Sequence, residues 1–272
     1  MRIPVTLAAL LLLGGRSAHA QEDEARIRQR WGLEGLHSVW CVDYLADPAG
    51  GHIKLPKGYE PVPASQSADL PAALQRQISD QPGYSAWIPA RLCTVSVDVI
   101  VVGDRRIAGR KPSQVPSVVF AGVLAAPTSG EEPRPVYAAQ FLAATDWRTS
   151  RPADAVGLKL DEVKVTTGKV PESTDDQIQV KFGKMELVWS GYATRDSSEA
   201  REALDFETVF TAPQGYLWTA RFHLMPRMVN PVAGALRVGG KSDLSRSIQA
   251  SPIRFMGPIY SGGSGEVTYS HP

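Results

Sequence analysis

Cysteine is scarce in this 272-residue chain, net charge is nearly absent, and no apolar run is long enough to cross a bilayer. Each shortage excludes something. The two cysteines, Cys41 and Cys93, do not form a Cys-x-x-Cys motif, so thiol redox cycling and cysteine-ligated zinc lack support. Lys plus Arg number 29 against 28 Asp plus Glu, so nucleic acid and anionic membrane, which bind through an excess of basic charge, are not expected as partners. The longest apolar stretch falls far short of the ~20 residues of a spanning helix. Outside the leader stand His37, His52, His223 and His271, no two at metal-ligand spacing, so no metal site is expected. His223 reads as a satisfied strand residue. No glycine pattern forms a nucleotide-binding loop and no Gly-x-Ser-x-Gly elbow is present, so no cofactor is expected either.

What is present begins with a leader. Residues 1–20 read as a secretory signal peptide: Arg2 supplies the basic start, Val5 to Leu13 the short apolar run, and Ala18-His19-Ala20 the small residues before cleavage at Gln21. Without Arg2 and Arg16 the mature chain carries 27 basic against 28 acidic residues. Export to the periplasm or extracellular space predicts that Cys41 and Cys93 form a disulfide, closing a loop of roughly 50 residues worth about 3–4 kcal/mol by chain entropy. With 43% hydrophobic and 21% charged residues, 21–272 reads as one soluble globular domain.

Gln21 to Arg30 reads as a short charged helix, and Asp69 to Ser79 as an amphipathic one with Leu70, Ala73, Leu74 and Ile78 at helical spacing. From Thr94 the period becomes two. Thr94 to Val102 places Val95, Val97, Val99 and Val101 on one face. Further strands are expected at 118–126, 136–144, 158–165, 216–225, 233–238, 248–255 and 266–269, with a hairpin over 178–192 turning at Gly183-Lys184. Ser197 to Phe210 reads as another helix. Nine or ten strands with few helices and no β-α-β alternation predict a mainly β, α+β fold: an antiparallel sheet that closes or nearly closes, with helices outside.

Charge gathers at Lys159, Asp161, Glu162 and Lys164. On a strand, Lys159, Asp161 and Val163 share one face, and Leu160, Glu162 and Lys164 the other. Two readings stand: a solvated edge strand whose charges discourage aggregation, or a lysine aimed into a cavity, where desolvation would free its amine to attack a carbonyl.

Several motifs occur in the order found in acetoacetate decarboxylases. Gly183-Lys184-Met185-Glu186-Leu187-Val188, ending in Gly191-Tyr192, resembles that family's "GKL-x-V … GY" hairpin. Tyr216 to Pro226 resembles its "NYxLKxIP" strand, Ile248 to Pro258 its late "V-x-x-A-W-x-G-P" segment, and Ser113 to Gly122 its "Q-x-I-P-V" strand. The resemblance spans residues 90–260 and implies a closed antiparallel β-cone around a small apolar cavity. It further implies a Schiff-base lysine in a "G-R-E … P-K-K" segment, which here corresponds to Ala155 to Leu160. There Lys159 falls on the second lysine and Leu158 on the nucleophile, and "G-R-E" has no counterpart. The family's cavity carboxylate is replaced by Arg110-Lys111-Pro112, which makes Arg110 a candidate substrate-binding residue.

Two functions follow as expectations. One is an exported decarboxylase-like enzyme acting on a small β-keto acid through Lys159. The other is a non-catalytic binder of a small apolar or carboxylate ligand in the barrel, walled by Trp87, Trp189, Tyr216, Trp218 and Phe222. An envelope scaffold role is compatible with the charged N-terminal arm and the Gly/Ser-rich tail.

Overall fold

The computed structural model describes residues 31–67, 70–102, 105–109, 115–129, 134–155, 160–169, 171–172, 176–182, 185–193, 197–211, 215 and 217–270. Residues 1–30, which include the expected leader and the expected charged helix, and the hairpin turn at Gly183-Lys184 lie outside them.

The described strands are, in chain order, β1 (Trp31–Ala46), β2 (Tyr59–Pro61), β3 (Ile88–Val102), β4 (Arg105–Ala108), β5 (Ser117–Pro127), β6 (Val136–Ala144), β7 (Asp161–Glu162), β8 (Lys164–Lys169), β9 (Asp176–Phe182), β10 (Met185–Ala193), β11 (Ser198–Glu199), β12 (Leu204–Thr211), β13 (Leu217–Asn230), β14 (Val232–Gly239), β15 (Arg254–Met256) and β16 (Ile259–Ser270). The α-helices are α1 (Ala72–Asp80), α2 (Trp147–Ala155) and α3 (Asp243–Ala250). None of them is long and apolar enough to cross a membrane.

Seven strands close on themselves in the order β1-β16-β13-β12-β6-β5-β3, with β3 returning to β1. All neighbours are antiparallel except β12 and β6, which run parallel. A second sheet, β14-β10-β9-β8, stands outside the barrel. Alternation along each strand therefore feeds two cores. The inner one gathers Val95, Val97, Phe120, Leu142, Phe206, Trp218 and Phe222. The outer one gathers Leu92, Val119, Phe141 and Val209 from the barrel with Val165, Ile178, Leu187 and Trp189 from the second sheet. A third cluster seats Leu74 of α1 against Leu45 and Ile253.

The closed mainly β fold, the 178–192 hairpin (Phe182 opposite Met185) and the first amphipathic helix agree with the sequence reading. Five local expectations are corrected. Residues 198–211 form β11 and β12 rather than a helix, because Leu204, Phe206 and Phe210 alternate onto the inner core. Ile248 lies in α3, whose start is capped by the Ser242 hydroxyl accepting from the Ser245 amide, and only 254–256 of that segment is strand. The 158–165 run breaks into β7, parallel to β6, and β8, the edge of the second sheet. Leu160 is buried there while Glu162 and Lys164 are exposed, so the three do not share a face. The β6-α2-β7 passage is a short β-α-β unit where none was expected. Finally, the inward face of β3 passes from Val95 and Val97 to Ile100 and Val102, a change of phase opposite the Glu34–Leu36 stretch of β1, where Gly35 takes a positive φ. His223 is satisfied as expected, by Asp205 at 2.6 Å, on the barrel's exposed face.

Candidate functional site

The inner face of the barrel carries a charged pair near one end. Along β1 and β3, Cys41 stands opposite Cys93 and Asp43 opposite Arg91. Both cysteines, Val95 and Val97 belong to the inner core, so the two-residue period turns Asp43 and Arg91 the same way. The cysteines are joined as a disulfide. On the next inward-facing rung, Arg91 Nε donates to Asp43 Oδ1 at 2.7 Å and Nη2 to Oδ2 at 3.4 Å. Only 18% of the Arg91 side chain and 9% of the Asp43 side chain are exposed. Burial by itself lowers the arginine's proton affinity. The carboxylate of Asp43 and the phenols of Tyr137 and Tyr260 outweigh that and hold Arg91 above its ordinary pKa, fully charged.

Tyrosines frame this cation. The guanidinium lies 5.3 Å from the centroid of the Tyr137 ring, within cation–π range. Tyr260 packs on the inner core, and burial raises its phenol pKa against the opposing pull of Arg91. Tyr260 also lines a surface cleft of about 290 Å³ with Leu204, Val229 and residues 199–203. Neither hydrogen bond to Asp43 uses Arg91 Nη1, which leaves donors for a further anion.

Deeper in, Phe206 and Phe222 stack at 4.5 Å, Phe120 stacks on Phe206 at 5.5 Å, and Tyr137 meets Phe120 edge-on at 6.0 Å. Gly122 makes room for this group: a Cβ there would stand 2.7 Å from the Phe120 ring. Among these rings sits Thr208, between Phe206 and Phe210 on β12 and opposite Ala220 and Tyr137. It is fully buried, and its hydroxyl finds no hydrogen-bond partner among the described residues. Such a group costs about 1–3 kcal/mol unless something satisfies it.

Of the residues expected from sequence, Trp218 and Phe222 share the inner core. Trp189 does not join them. It is wholly buried between the second sheet and the barrel's outer wall. Trp87 packs beside α1 with Tyr84. Lys159, Arg110 and Tyr216 lie outside the described residues. The neighbour of Lys159, Leu160, is buried in the inner core, whereas all the described lysines (Lys54, Lys57, Lys164, Lys169, Lys181 and Lys241) are exposed. Sequence reasoning missed Arg91, Asp43, Tyr137, Thr208 and Tyr260. The signal was there for Arg91, a charged residue at the start of a long β-branched run, and for Asp43, a lone acid in the otherwise uncharged stretch Val39 to Ala46.

Strand order, closure and the inward aromatic core define an acetoacetate decarboxylase-type β-barrel. The sequence matches no family model and no curated protein, so the likeness is one of fold. The chain is similar to the enduracididine biosynthesis enzyme MppR complexed with pyruvate, at TM-score 0.56 and 14% identity, over 89% of this chain and 90% of that one. It is also similar to acetoacetate decarboxylase from Legionella pneumophila, at TM-score 0.52 and 7% identity, over 89% of this chain and 86% of that one.

Proposed function

We propose that this is an exported protein that holds a small carboxylate, of the keto-acid class, inside its barrel. The observation that carries the reading is Arg91: a largely buried, permanently charged guanidinium on the inner face, whose Nη1 takes no part in the pair with Asp43. Arginine suits a carboxylate because its planar fork matches two oxygens. Thr208 adds a hydroxyl suited to a carbonyl or hydroxyl oxygen, and the rings around it suit a short apolar body. A protein of the same fold is known complexed with pyruvate, which supports this ligand class. The Cys41–Cys93 disulfide and the signal-like residues 1–20 support export. Calorimetric titration of the mature protein tests the reading with pyruvate, acetoacetate and acetone. Binding of the two acids but not the ketone is expected. Equal binding of all three, or of none, would refute it.

A second reading rests on the resemblance of residues 155–160 and on Leu160, which brings the chain to the inner core one residue after Lys159. In this reading the Lys159 amine attacks the keto group and expels water to give an iminium. The bond to the carboxylate then breaks, its electron pair moves to the nitrogen, CO₂ leaves, and the enamine is protonated and hydrolysed. Borohydride reduction with acetoacetate should add mass to the wild type and not to Lys159→Ala. Equal labelling of both would remove Lys159 from the mechanism.

A further inference from the structure

At one edge of the second sheet, β14 is paired by β10 from Gly239 opposite Glu186 to Val232 opposite Ala193, and no strand takes its other side among the described residues. Helix α3 lies against that free side. Gln249 Nε2 donates to the Val238 carbonyl at 3.0 Å and to the Gly240 carbonyl at 3.4 Å, which seats the last turn of α3 on β14. In an antiparallel strand a residue's N–H and C=O point the same way. The bond to Val238 therefore places the peptide groups of Val238 and, two residues back, of Leu236 on the free side. A cleft of about 680 Å³ lies here, lined by residues of β14, α3 and β15. Val188, Leu236 and Val238, all half-buried, give it an apolar lining. Arg237 of β14 and Arg254 of β15 bring two guanidinium groups to it.

Charge singles this cleft out. Both arginines are exposed, and neither makes a hydrogen bond or an ion pair among the described residues. Glu172, next in sequence to the lining residue Pro171, pairs with neither. Glu186 on β10 is held by Lys181 and Gln179, and Asp243, at the far end of α3, by Arg246. The described lining contains no acid. The cleft beside β8, by contrast, sets Asp146 and Glu162 against Lys164 and Lys181, and the one at Tyr260 sets Glu199 and Glu202 against Arg201. Two guanidinium groups carry twice the charge of one carboxylate. A phosphate monoester has close to two negative charges at neutral pH and three terminal oxygens, enough to meet both planar forks. Peptide N–H groups at a sheet edge add further donors for an anion. The cleft is also larger than a phosphate alone needs, and its apolar lining suits an organic group. We propose that this cleft binds an organic phosphate monoester, with Arg237 and Arg254 on the phosphate oxygens and the organic group against Val188 and Leu236. The site lies outside the barrel and does not rest on the carboxylate reading.

Calorimetric titration of the full mature protein with phenyl phosphate, inorganic phosphate and benzoate tests this. Phenyl phosphate should bind with an affinity that falls as salt rises, and roughly tenfold or more tightly than the other two. Inorganic phosphate lacks the apolar body, and benzoate lacks the second charge. Arg237→Gln and Arg254→Gln should each weaken phenyl phosphate by roughly tenfold or more, the loss of a charge-assisted hydrogen bond. The thermal midpoint should stay where it is in both variants, because both side chains are exposed. Inorganic phosphate bound as tightly as the ester would overturn the organic group, and benzoate bound as tightly would overturn the dianion. No binding of phenyl phosphate, or binding that survives both substitutions, would overturn the site. Displacement of phenyl phosphate by pyruvate would move it into the barrel and overturn the site as well.

Discussion

At Arg91 the chain places a positive charge where the neighbouring inward residues are a disulfide and valines, and it offsets the desolvation with Asp43 at 2.7 Å. Removing one partner of such a pair is far worse than removing both, because the survivor stays buried and unpaired. Arg91→Leu is therefore expected to cost about 3–5 kcal/mol in urea unfolding, and Arg91→Leu with Asp43→Leu to recover most of it. The double variant should also lose carboxylate binding. If it bound pyruvate like the wild type, the pair would be structural only. Thr208→Val makes a complementary case. It removes a buried hydroxyl with no partner among the described residues, so the free protein should gain stability or stay level while ligand affinity falls. A stability loss above about 1 kcal/mol would mean that the hydroxyl is satisfied within the protein.

Between strands, backbone geometry does work that side chains cannot. Gly35 in β1 has φ +63°, and a Cβ there would lie 2.8 Å from the Asp98 Cβ, a contact that no side-chain rotation relieves. Gly35→Ala is expected to lower stability by about 1–3 kcal/mol, seen as a lower thermal midpoint. Tyr44, also in β1, fixes α3 to the barrel through its hydrogen bond with Ser247. Burial raises the Tyr44 phenol well above its ordinary pKa, the hydrogen bond opposing weakly. The folded state thus keeps the proton longer than the unfolded chain does. Its contribution is intact below about pH 10 and is lost as pH rises further. The urea midpoint should drop between about pH 9 and 11, and Tyr44→Phe should shallow that drop. Elements were legible where one period held without interruption, as in the 178–192 hairpin and β6. They were not legible where a cap or a change of period set the structure. Ser242 makes a helix of residues that look strand-like, and the inward spacing of Leu204, Phe206 and Phe210 overrides the helical character of the residues before them. The site was less legible still. Arg91 and Asp43 are 48 positions apart and meet only through the register of β1 on β3.

For the whole molecule, the seam that closes the barrel is β1 on β3, and it holds the disulfide and the charged pair on successive inward-facing rungs, two residues apart. A lone pair of cysteines and a leader-like start are sequence properties, so this cross-link could be foreseen. Its place inside the barrel beside the candidate anion site could not. With the cysteines 52 positions apart, the chain-entropy estimate is about 4 kcal/mol. The fourteen-pair ladder of β1 and β3 survives without the sulfur bridge, so closure itself does not depend on it. Cys41→Ala with Cys93→Ala should therefore unfold at lower urea by an amount approaching 4 kcal/mol while retaining the far-ultraviolet spectrum of a closed barrel. Pyruvate affinity should fall with it, since Asp43 and Arg91 lose the constraint two residues away. A variant that keeps wild-type affinity at reduced stability would show that the ladder alone orients Arg91. One that loses the β spectrum would show that the bridge is needed to close the seam.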